Sequence, residues 1–211
     1  MKFLYRAFPL PANRPFMTNR PLLPRPPFAW QLGPHSAQFE NPWLRVDTIP
    51  AVDPNGKDAV YGLVHFKNLA VGIVPYDNGN IWLVGQSRVP FREYSWEVPA
   101  GGDPDGLDPL GTAHRELREE TGFRAKNMEQ ILTMELSNSV TDEACKVYLA
   151  TGLTAGESEM ESSEDISVLK ISLDDALAAV DAGEIRQGLS VAAILKLGRM
   201  RSAGQLPEGD V

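Results

Sequence analysis

Cysteine is nearly missing from this chain, with Cys145 the single example in 211 residues. One cysteine cannot form an internal disulfide, so the disulfide-rich secreted domains are excluded and a reducing, cytoplasmic location is predicted. No uninterrupted apolar run reaches the roughly 18 residues that a membrane helix needs, so we expect no membrane partner. The formal net charge of -8 argues against nucleic acid as the main partner.

The first 39 residues differ from the rest of the chain. They contain eight prolines and five basic residues but no aspartate or glutamate. Proline at this density prevents a regular helix and favours extended chain. We therefore predict a basic arm over residues 1–39 that lies across the folded domain or across a partner subunit. A disordered tip of this arm is an equal alternative.

Strand patterns dominate the chain from residue 40 onward. In residues 44–49, Leu44 and Val46 alternate with Arg45 and Asp47, which predicts a strand with the apolar pair facing inward. Strands followed by a helix, more strands and two further helices indicate an α+β fold with helices packed on a mixed sheet. The predicted strands are 44–49, 60–66, 70–76, 81–85, 129–136, 146–153 and 166–171, and the late helices are 172–182, with Ser172 as N-cap, and 190–201.

A short acidic helix is predicted over residues 111–123, ending at Gly122. Glu116, Glu119 and Glu120 have the spacing i, i+3, i+4, which puts their carboxylates along one side of the helix. Like charges this close repel, and a hard cation such as Mg²⁺ or Mn²⁺ would relieve the repulsion. A solvated surface helix, in which Arg115 pairs with Glu119, explains the spacing equally well.

Residues 96–106 are predicted to be a strand end that runs into a loop rich in glycine and proline. Such a loop would expose backbone groups beside the acidic helix. That arrangement suits a site for a metal ion and a diphosphate, and it favours the metal interpretation of the glutamates.

Residues 101–123 resemble the signature of the Nudix hydrolases, G-x5-E-x7-R-E-U-x-E-E-x-G-U, where U is a bulky apolar residue. The chain departs from it at one position, where Leu107 replaces the first glutamate. The run Trp-Glu-Val-Pro-Ala-Gly at 96–101 resembles the ADP-ribose pyrophosphatase branch, and this similarity extends over roughly residues 40–200. The matching signature positions are Gly101, Arg115-Glu116-Leu117, Glu119-Glu120 and Gly122-Phe123, and the further branch motifs are Gln86-Ser87-Arg88 and Glu164-Asp165-Ile166.

The resemblance implies an α/β/α sandwich with a mixed sheet, preceded by a small antiparallel N-terminal subdomain that often dimerises. We therefore expect a homodimer. The chain would then comprise the arm at 1–39, the subdomain at 40–68, the Nudix hydrolase domain at 69–203 and a tail at 204–211.

The resemblance also implies roles for individual residues around the acidic helix. Glu116 and Glu120 are expected as metal ligands, Glu119 as a shared or supporting ligand held by Arg115, and Ala100 as a ligand through its carbonyl oxygen. The general base is expected in the acidic loop of residues 157–165, where Glu164 is the first candidate and Glu161 the second.

Substrate contacts are expected from Arg88, which related enzymes place against phosphate, from Glu97 at a strand end, and from the signature glycine Gly101. Glu143, in a segment that resembles the substrate loop of the branch, would contact the ribose or the metal shell. Stacking on a nucleobase is a further role open to Trp30, Trp43 and Phe66, although packing accounts for these aromatic residues as well.

The function implied by the resemblance is Mg²⁺-dependent hydrolysis of a nucleoside diphosphate derivative, with ADP-ribose giving AMP and ribose 5-phosphate. The alternatives are hydrolysis of another nucleotide sugar such as GDP-mannose, or a non-catalytic nucleotide sensor on the same scaffold. Leu107 removes one carboxylate while Glu116, Glu119 and Glu120 remain. The resemblance implies that a glutamate at position 107 helps to hold the catalytic loop and to support the metal cluster. With Leu107 in its place we expect an active enzyme that is either slower or altered in its metal preference.

Overall fold

The computed structural model describes residues 23–24, 26–156 and 166–207. The chain divides into two compact units between His65 and Phe66. The described residues form eleven strands and three helices. In chain order these are β1 (Gln31–Leu32), β2 (Ser36–Glu40), β3 (Leu44–Val52), β4 (Asp58–Phe66), β5 (Asn68–Asp77), β6 (Asn80–Arg88), β7 (Glu93–Glu97), β8 (Ala100–Pro104), α1 (Pro109–Thr121), β9 (Phe123–Glu135), β10 (Ala144–Ala155), β11 (Ser167–Ser172), α2 (Leu173–Asp181) and α3 (Gly188–Ser202).

The N-terminal unit is a four-stranded sheet in which β3 pairs with β1, β2 and β4. The arm was predicted to end at residue 39, but strand β2 extends from Ser36 to Glu40 and therefore includes that boundary. No proline lies between Pro34 and Pro42, so the backbone N–H groups of this stretch can form hydrogen bonds with β3. Residues 1–22 of the predicted arm lie outside the described part. The proposed limits of arm, subdomain, catalytic domain and tail remain predictions.

The prediction that Leu44 and Val46 form the inward face of β3 was wrong. Asp47 is only 3% exposed, and Ile49 and Ala51 on the same face are buried, whereas Leu44 and Val46 are half-buried. The buried carboxylate is tolerated because it is paired. Arg45 donates to it through Nε at 2.7 Å and through a terminal nitrogen at 2.9 Å, and His35 Nδ1 lies 3.0 Å away. The pattern of apolar residues could not show that these partners neutralise Asp47.

Replacing Asp47 by asparagine is expected to destabilise the N-terminal unit by about 1–3 kcal/mol at neutral pH, because charged hydrogen bonds are lost in a buried position. The hydrogen bond from Arg45 holds the pKa of Asp47 below its ordinary value of 3.8, against the opposing effect of burial. A depressed pKa contributes stability that is complete above about pH 4 and is lost as the pH falls through the folded-state value.

The check is thermal unfolding of both proteins at pH 7 and pH 3, with Asp58→Asn as the control, since Asp58 is exposed in the same unit. The wild-type protein should lose more stability than Asp47→Asn between the two pH values. Equal losses would contradict the assigned role of the carboxylate.

The second unit is built on a seven-stranded mixed sheet with the order β11-β6-β5-β10-β9, to which β7 adds beside β6 and β8 beside β5. Strands β5 and β10 are parallel, and the other pairs with defined register are antiparallel. The parallel pair needs a long connection, which β6, β7, β8, α1 and β9 supply. The predicted mixed sheet is confirmed.

Helices cover both faces of this sheet. Successive residues of β10 point to opposite faces, so Val147 and Leu149 pack with α2 and α3 while Tyr148 and Ala150 pack with α1. Cys145 is fully buried on the α2–α3 side. The arrangement confirms the α/β/α sandwich. None of the helices within the described ranges is long and apolar enough to cross a membrane.

Two further differences from the predictions concern the surroundings of α1. Residues 100–104, predicted as a loop, form strand β8 and pair with residues 68–72 of β5. Strand β9 begins at Phe123 instead of near residue 129, because its antiparallel pairing with β10 continues to Ala155. Glycines and a proline marked residues 100–104 as irregular, but in both segments strand partners distant in sequence determine the backbone conformation.

Candidate active site

Helix α1 has defined ends. Asp108 is its N-cap and accepts a hydrogen bond from Gly111 N at 3.0 Å, and Pro109 occupies the first turn, where its missing N–H costs nothing. Gly122 ends the helix in the left-handed conformation, at φ 74°. Fixed ends determine which residues of α1 face the sheet. The buried ones are Thr112, Ala113, Glu116, Leu117 and Glu120.

Glu116 is buried against the backbone of β8, with 8% of its surface exposed. A Cβ added to Gly101 would overlap the carboxylate of Glu116, so only glycine leaves room for it. Arg115 pairs with the same carboxylate at 2.7 Å. Gly101, predicted as a substrate contact, therefore has a structural role in this site, which is to admit Glu116.

Glu120 lies one turn further along α1 and is 5% exposed. Its Oε2 accepts a hydrogen bond from Ala100 N at 2.9 Å, so strand β8 holds this side chain as well. The predicted neighbours Ala100, Gly101, Glu116 and Glu120 are thus brought together where α1 crosses β8.

Arg115 connects two of the three glutamates. Besides Glu116, it donates to Glu119 Oε2 at 2.8 Å, the i,i+4 pair that the sequence predicts. Burial acts to lower the pKa of Arg115, but Glu116 and Glu119 outweigh it and raise that pKa. Arg115 is therefore charged at any pH relevant to the protein, and it offsets repulsion among the carboxylates.

The donor set suits a hard divalent cation. Glu116 and Glu120 present carboxylate oxygens on one face of α1, and the carbonyl of Ala100 belongs to the strand beneath them. Within the described ranges no three acidic, histidine or cysteine side chains form a cluster able to hold a metal ion. The close packing of Glu116 on Gly101 nevertheless fits a site in which two carboxylates are fixed in advance. The metal-ligand roles of Glu116, Glu119, Glu120 and Ala100 remain predictions.

The position of the missing signature glutamate lies on the surface, since Leu107 is 76% exposed. A different carboxylate is buried nearby. Asp103, at 3% exposure, accepts hydrogen bonds from Asp108 N at 3.1 Å and from the hydroxyl of Thr112 at 3.2 Å. Sequence reasoning missed Asp103, and its position between a strand and a helix cap is the signal that could have identified it.

Arg88 and Glu97, both predicted to contact substrate, lie on the paired strands β6 and β7 and contact each other. Arg88 donates through Nε at 2.9 Å and through a terminal nitrogen at 2.6 Å to the two oxygens of Glu97. Glu97 is buried, whereas part of Arg88 is exposed. Glu97 therefore fixes the direction of the guanidinium, and the substrate roles of both remain predictions.

Glu143 is half-buried, and burial raises its pKa. Glu164 and Glu161 lie outside the described residues, so their roles stay predictions. In the N-terminal unit Trp30 packs edge-on against Tyr61, with ring centroids 5.8 Å apart, and Trp43 is largely exposed.

Comparison with known proteins agrees with the fold and the signature. A model of the NUDIX domain matches residues 66–190. The chain is 35% identical over 143 residues to an ADP-ribose pyrophosphatase of Bacillus subtilis, covering 67% of this chain and 77% of the relative. It is 33% identical over 154 residues to a methanol dehydrogenase activator of Bacillus methanolicus, covering 72% and 82%.

Among solved structures, one described as an ADP compounds hydrolase superposes with a TM-score of 0.77 and 18% sequence identity. The match covers 87% of this chain and all of that one, and it supports the fold. A mixed sheet between two helical layers, with buried glutamates on the helix of the signature, defines the class of the Nudix pyrophosphohydrolases. The chain belongs to the Nudix family, in its ADP-ribose pyrophosphatase-like branch. A divalent metal ion is the usual cofactor class of this family.

Proposed function

We propose that this protein hydrolyses ADP-ribose to AMP and ribose 5-phosphate with Mg²⁺, or Mn²⁺, as cofactor. The observation that carries the proposal is the pair of buried carboxylates, Glu116 and Glu120, which α1 presents beside the backbone of β8. The similarity to an ADP-ribose pyrophosphatase supports the choice of substrate.

The reaction adds one water molecule across a diphosphate. The water oxygen forms a bond to one phosphorus, the bridging P–O bond breaks, and the bridging oxygen leaves with the other phosphate. When bound, the divalent cation would neutralise charge on the diphosphate and make water easier to deprotonate. Glu116, Glu120 and the Ala100 carbonyl would hold it, with Glu119 as a supporting group.

The other residues of the site bind and orient. Arg115 holds Glu116 and Glu119 in place through its two ion pairs. Arg88, aimed by Glu97, would bind a phosphate with its planar guanidinium, a geometry that suits paired contacts to phosphate oxygens. Glu143 would contact the ribose or the metal shell. Burial raises the pKa of Glu143, so its carboxylate binds a proton more readily than that of an exposed glutamate.

Glu164 is our candidate for the general base that removes the proton from water. Gly156, the last residue described before Glu164, donates its N–H to the carbonyl of Gly122 at the end of α1, and this contact near the signature helix supports the choice. Glu164→Gln is expected to lower kcat by about 10²–10⁴ while KM changes little, because a positioned base contributes that much.

The steady-state kinetics of Glu164→Gln should be compared with those of Glu157→Gln, a control that makes the same change elsewhere in the acidic segment 157–165. A decrease of less than tenfold in kcat for Glu164→Gln would remove this residue from the role and leave Glu161 as the candidate.

The substrate proposal is tested by incubating the protein and Mg²⁺ with ADP-ribose, GDP-mannose, NADH and diadenosine polyphosphates and measuring mononucleotide release. AMP and ribose 5-phosphate from ADP-ribose are the expected products. Release from another compound alone would retain the reaction and change the substrate. Binding without release, detected as a thermal shift, would favour a non-catalytic nucleotide sensor.

We further propose a homodimer that operates in the cytoplasm. Large apolar side chains exposed on the N-terminal unit support self-association, since a partner subunit would remove their surface from water. They include Leu32, Phe39, Trp43 and Val60. Light scattering after size-exclusion chromatography would measure the mass directly, and a monomer across micromolar concentrations would contradict the proposal. The single buried Cys145 is compatible with the reducing cytoplasm.

A further inference from the structure

We propose that Asp103 is a positioning residue that fixes the start of α1, and through α1 the two buried glutamates, in place of the glutamate that the signature has at position 107. This inference rests on the proposed function, because it concerns the same site. Asp103 is not one of the signature residues, yet it would support the helix that carries them.

The contacts of Asp103 join β8 directly to the first turn of α1. Its two carboxylate oxygens lie 3.3 and 3.1 Å from Asp108 N, and the hydroxyl of Thr112 donates to one of them at 3.2 Å. Asp108 is itself the N-cap of α1, so a single buried carboxylate contacts both the cap and the first turn.

The same strand and helix meet at two further points. Along α1, Thr112, Glu116 and Glu120 are spaced four residues apart and therefore lie on one face. Thr112 contacts Asp103, the Glu116 carboxylate packs on the Gly101 backbone, and Glu120 accepts from Ala100 N. Asp103 thus makes the contact nearest the N-terminus of α1, and the other two contacts involve the expected metal ligands Glu116 and Glu120. A shift of α1 along β8 would move both glutamates together.

Leu107 cannot provide this support. Its side chain is apolar and exposed, and its backbone takes part in a turn closed by Gly106 N to Asp103 O at 3.1 Å and Leu107 N to Pro104 O at 3.3 Å. Asp105 and Gly106 have positive φ angles of 53° and 62°, which tighten this turn between β8 and α1. The loop between β8 and α1 is therefore held in place by Asp103, which belongs to β8.

The test compares Asp103→Asn with Asp105→Asn, a matched loss of one carboxylate two residues further along, where the side chain is exposed. Mn²⁺ binding is measured by electron paramagnetic resonance without substrate, together with kcat and the melting temperature. Asp103→Asn is expected to weaken Mn²⁺ binding about tenfold or more, the usual effect of removing a group that orients metal ligands. Asp105→Asn should bind as the wild type does.

Equal Mn²⁺ binding by the two variants would overturn the proposal, even if Asp103→Asn melts earlier, because it would make the role of Asp103 purely structural. Adding Leu107→Glu to Asp103→Asn is expected to restore at least part of the binding. A double variant no better than the single one would overturn the equivalence of the two carboxylates.

Thr112→Val provides a second route if Asp103→Asn fails to fold. It removes only the hydroxyl that donates to Asp103 and keeps the branched shape, and we expect it to weaken Mn²⁺ binding severalfold. Wild-type affinity in this variant would overturn the proposal. A wild-type protein with neither Mn²⁺ binding nor turnover would overturn the proposed function as well, whereas normal wild-type behaviour with unaffected variants overturns only the role of Asp103.

Discussion

Replacing Glu120 by glutamine is expected to lower kcat/KM for ADP-ribose by about a thousandfold or more. A cation that stabilises the transition state contributes several kcal/mol, and each 1.4 kcal/mol is roughly a factor of ten in rate. The fold should survive the change, because the amide oxygen of glutamine can still accept the hydrogen bond that Ala100 N gives to Glu120 at 2.9 Å.

The measurement is steady-state hydrolysis over a range of Mg²⁺ concentrations, with circular dichroism to verify folding. Glu129→Gln is the control, since it makes the same chemical change at an exposed position of β9. Activity of Glu120→Gln within tenfold of the control at saturating Mg²⁺ would show that Glu120 is not a metal ligand.

Gly101→Ala is expected to reduce turnover about a hundredfold without unfolding the protein. The added methyl group would overlap the carboxylate of Glu116, so that side chain must move away from β8. A displacement of about 1 Å in a catalytic group can cost a factor of about 10².

Gly102→Ala is the matched control on the next residue of β8. Its Cβ would meet the Asn68 amide nitrogen at 2.7 Å, which can rotate away, and the Asn68 Cβ at 3.2 Å, which needs only a small shift. We expect near wild-type turnover for Gly102→Ala. If both alanine variants were equally slow, the loss would arise from β8 as a whole and not from Glu116.

The elements that could be predicted from the sequence are those whose signals are local. Helix α1 is marked by the spacing of Glu116, Glu119 and Glu120 and by Gly122 at its end, and the Ser172 cap of α2 is equally local. The resemblance to the Nudix signature indicated that α1 and the residues just before it form one site. The order of strands and helices predicts the mixed sheet, the family resemblance implies the α/β/α sandwich, and both are confirmed.

The features that sequence reasoning missed depend on partners distant in the chain. Strand β8 looked like a loop because Gly101 and Gly102 are poor strand residues, and only the close contact of Gly101 with Glu116 explains why glycine is required at position 101. The orientation of β3 was misjudged because a buried Asp47 needs Arg45 and His35 to neutralise it. Neither requirement is visible in the alternation of apolar and polar residues.

The buried Cys145 has a practical consequence for labelling. Burial, together with the nearby charge of Glu143, raises the pKa of its thiol to about 11, so at pH 7 roughly one molecule in ten thousand carries the reactive thiolate. A thiol reagent should therefore leave the native protein unmodified and react as soon as the sheet opens. The natural sequence thus contains its own reporter of global unfolding, and a cysteine introduced at the surface could carry a fluorescent probe without competition from Cys145.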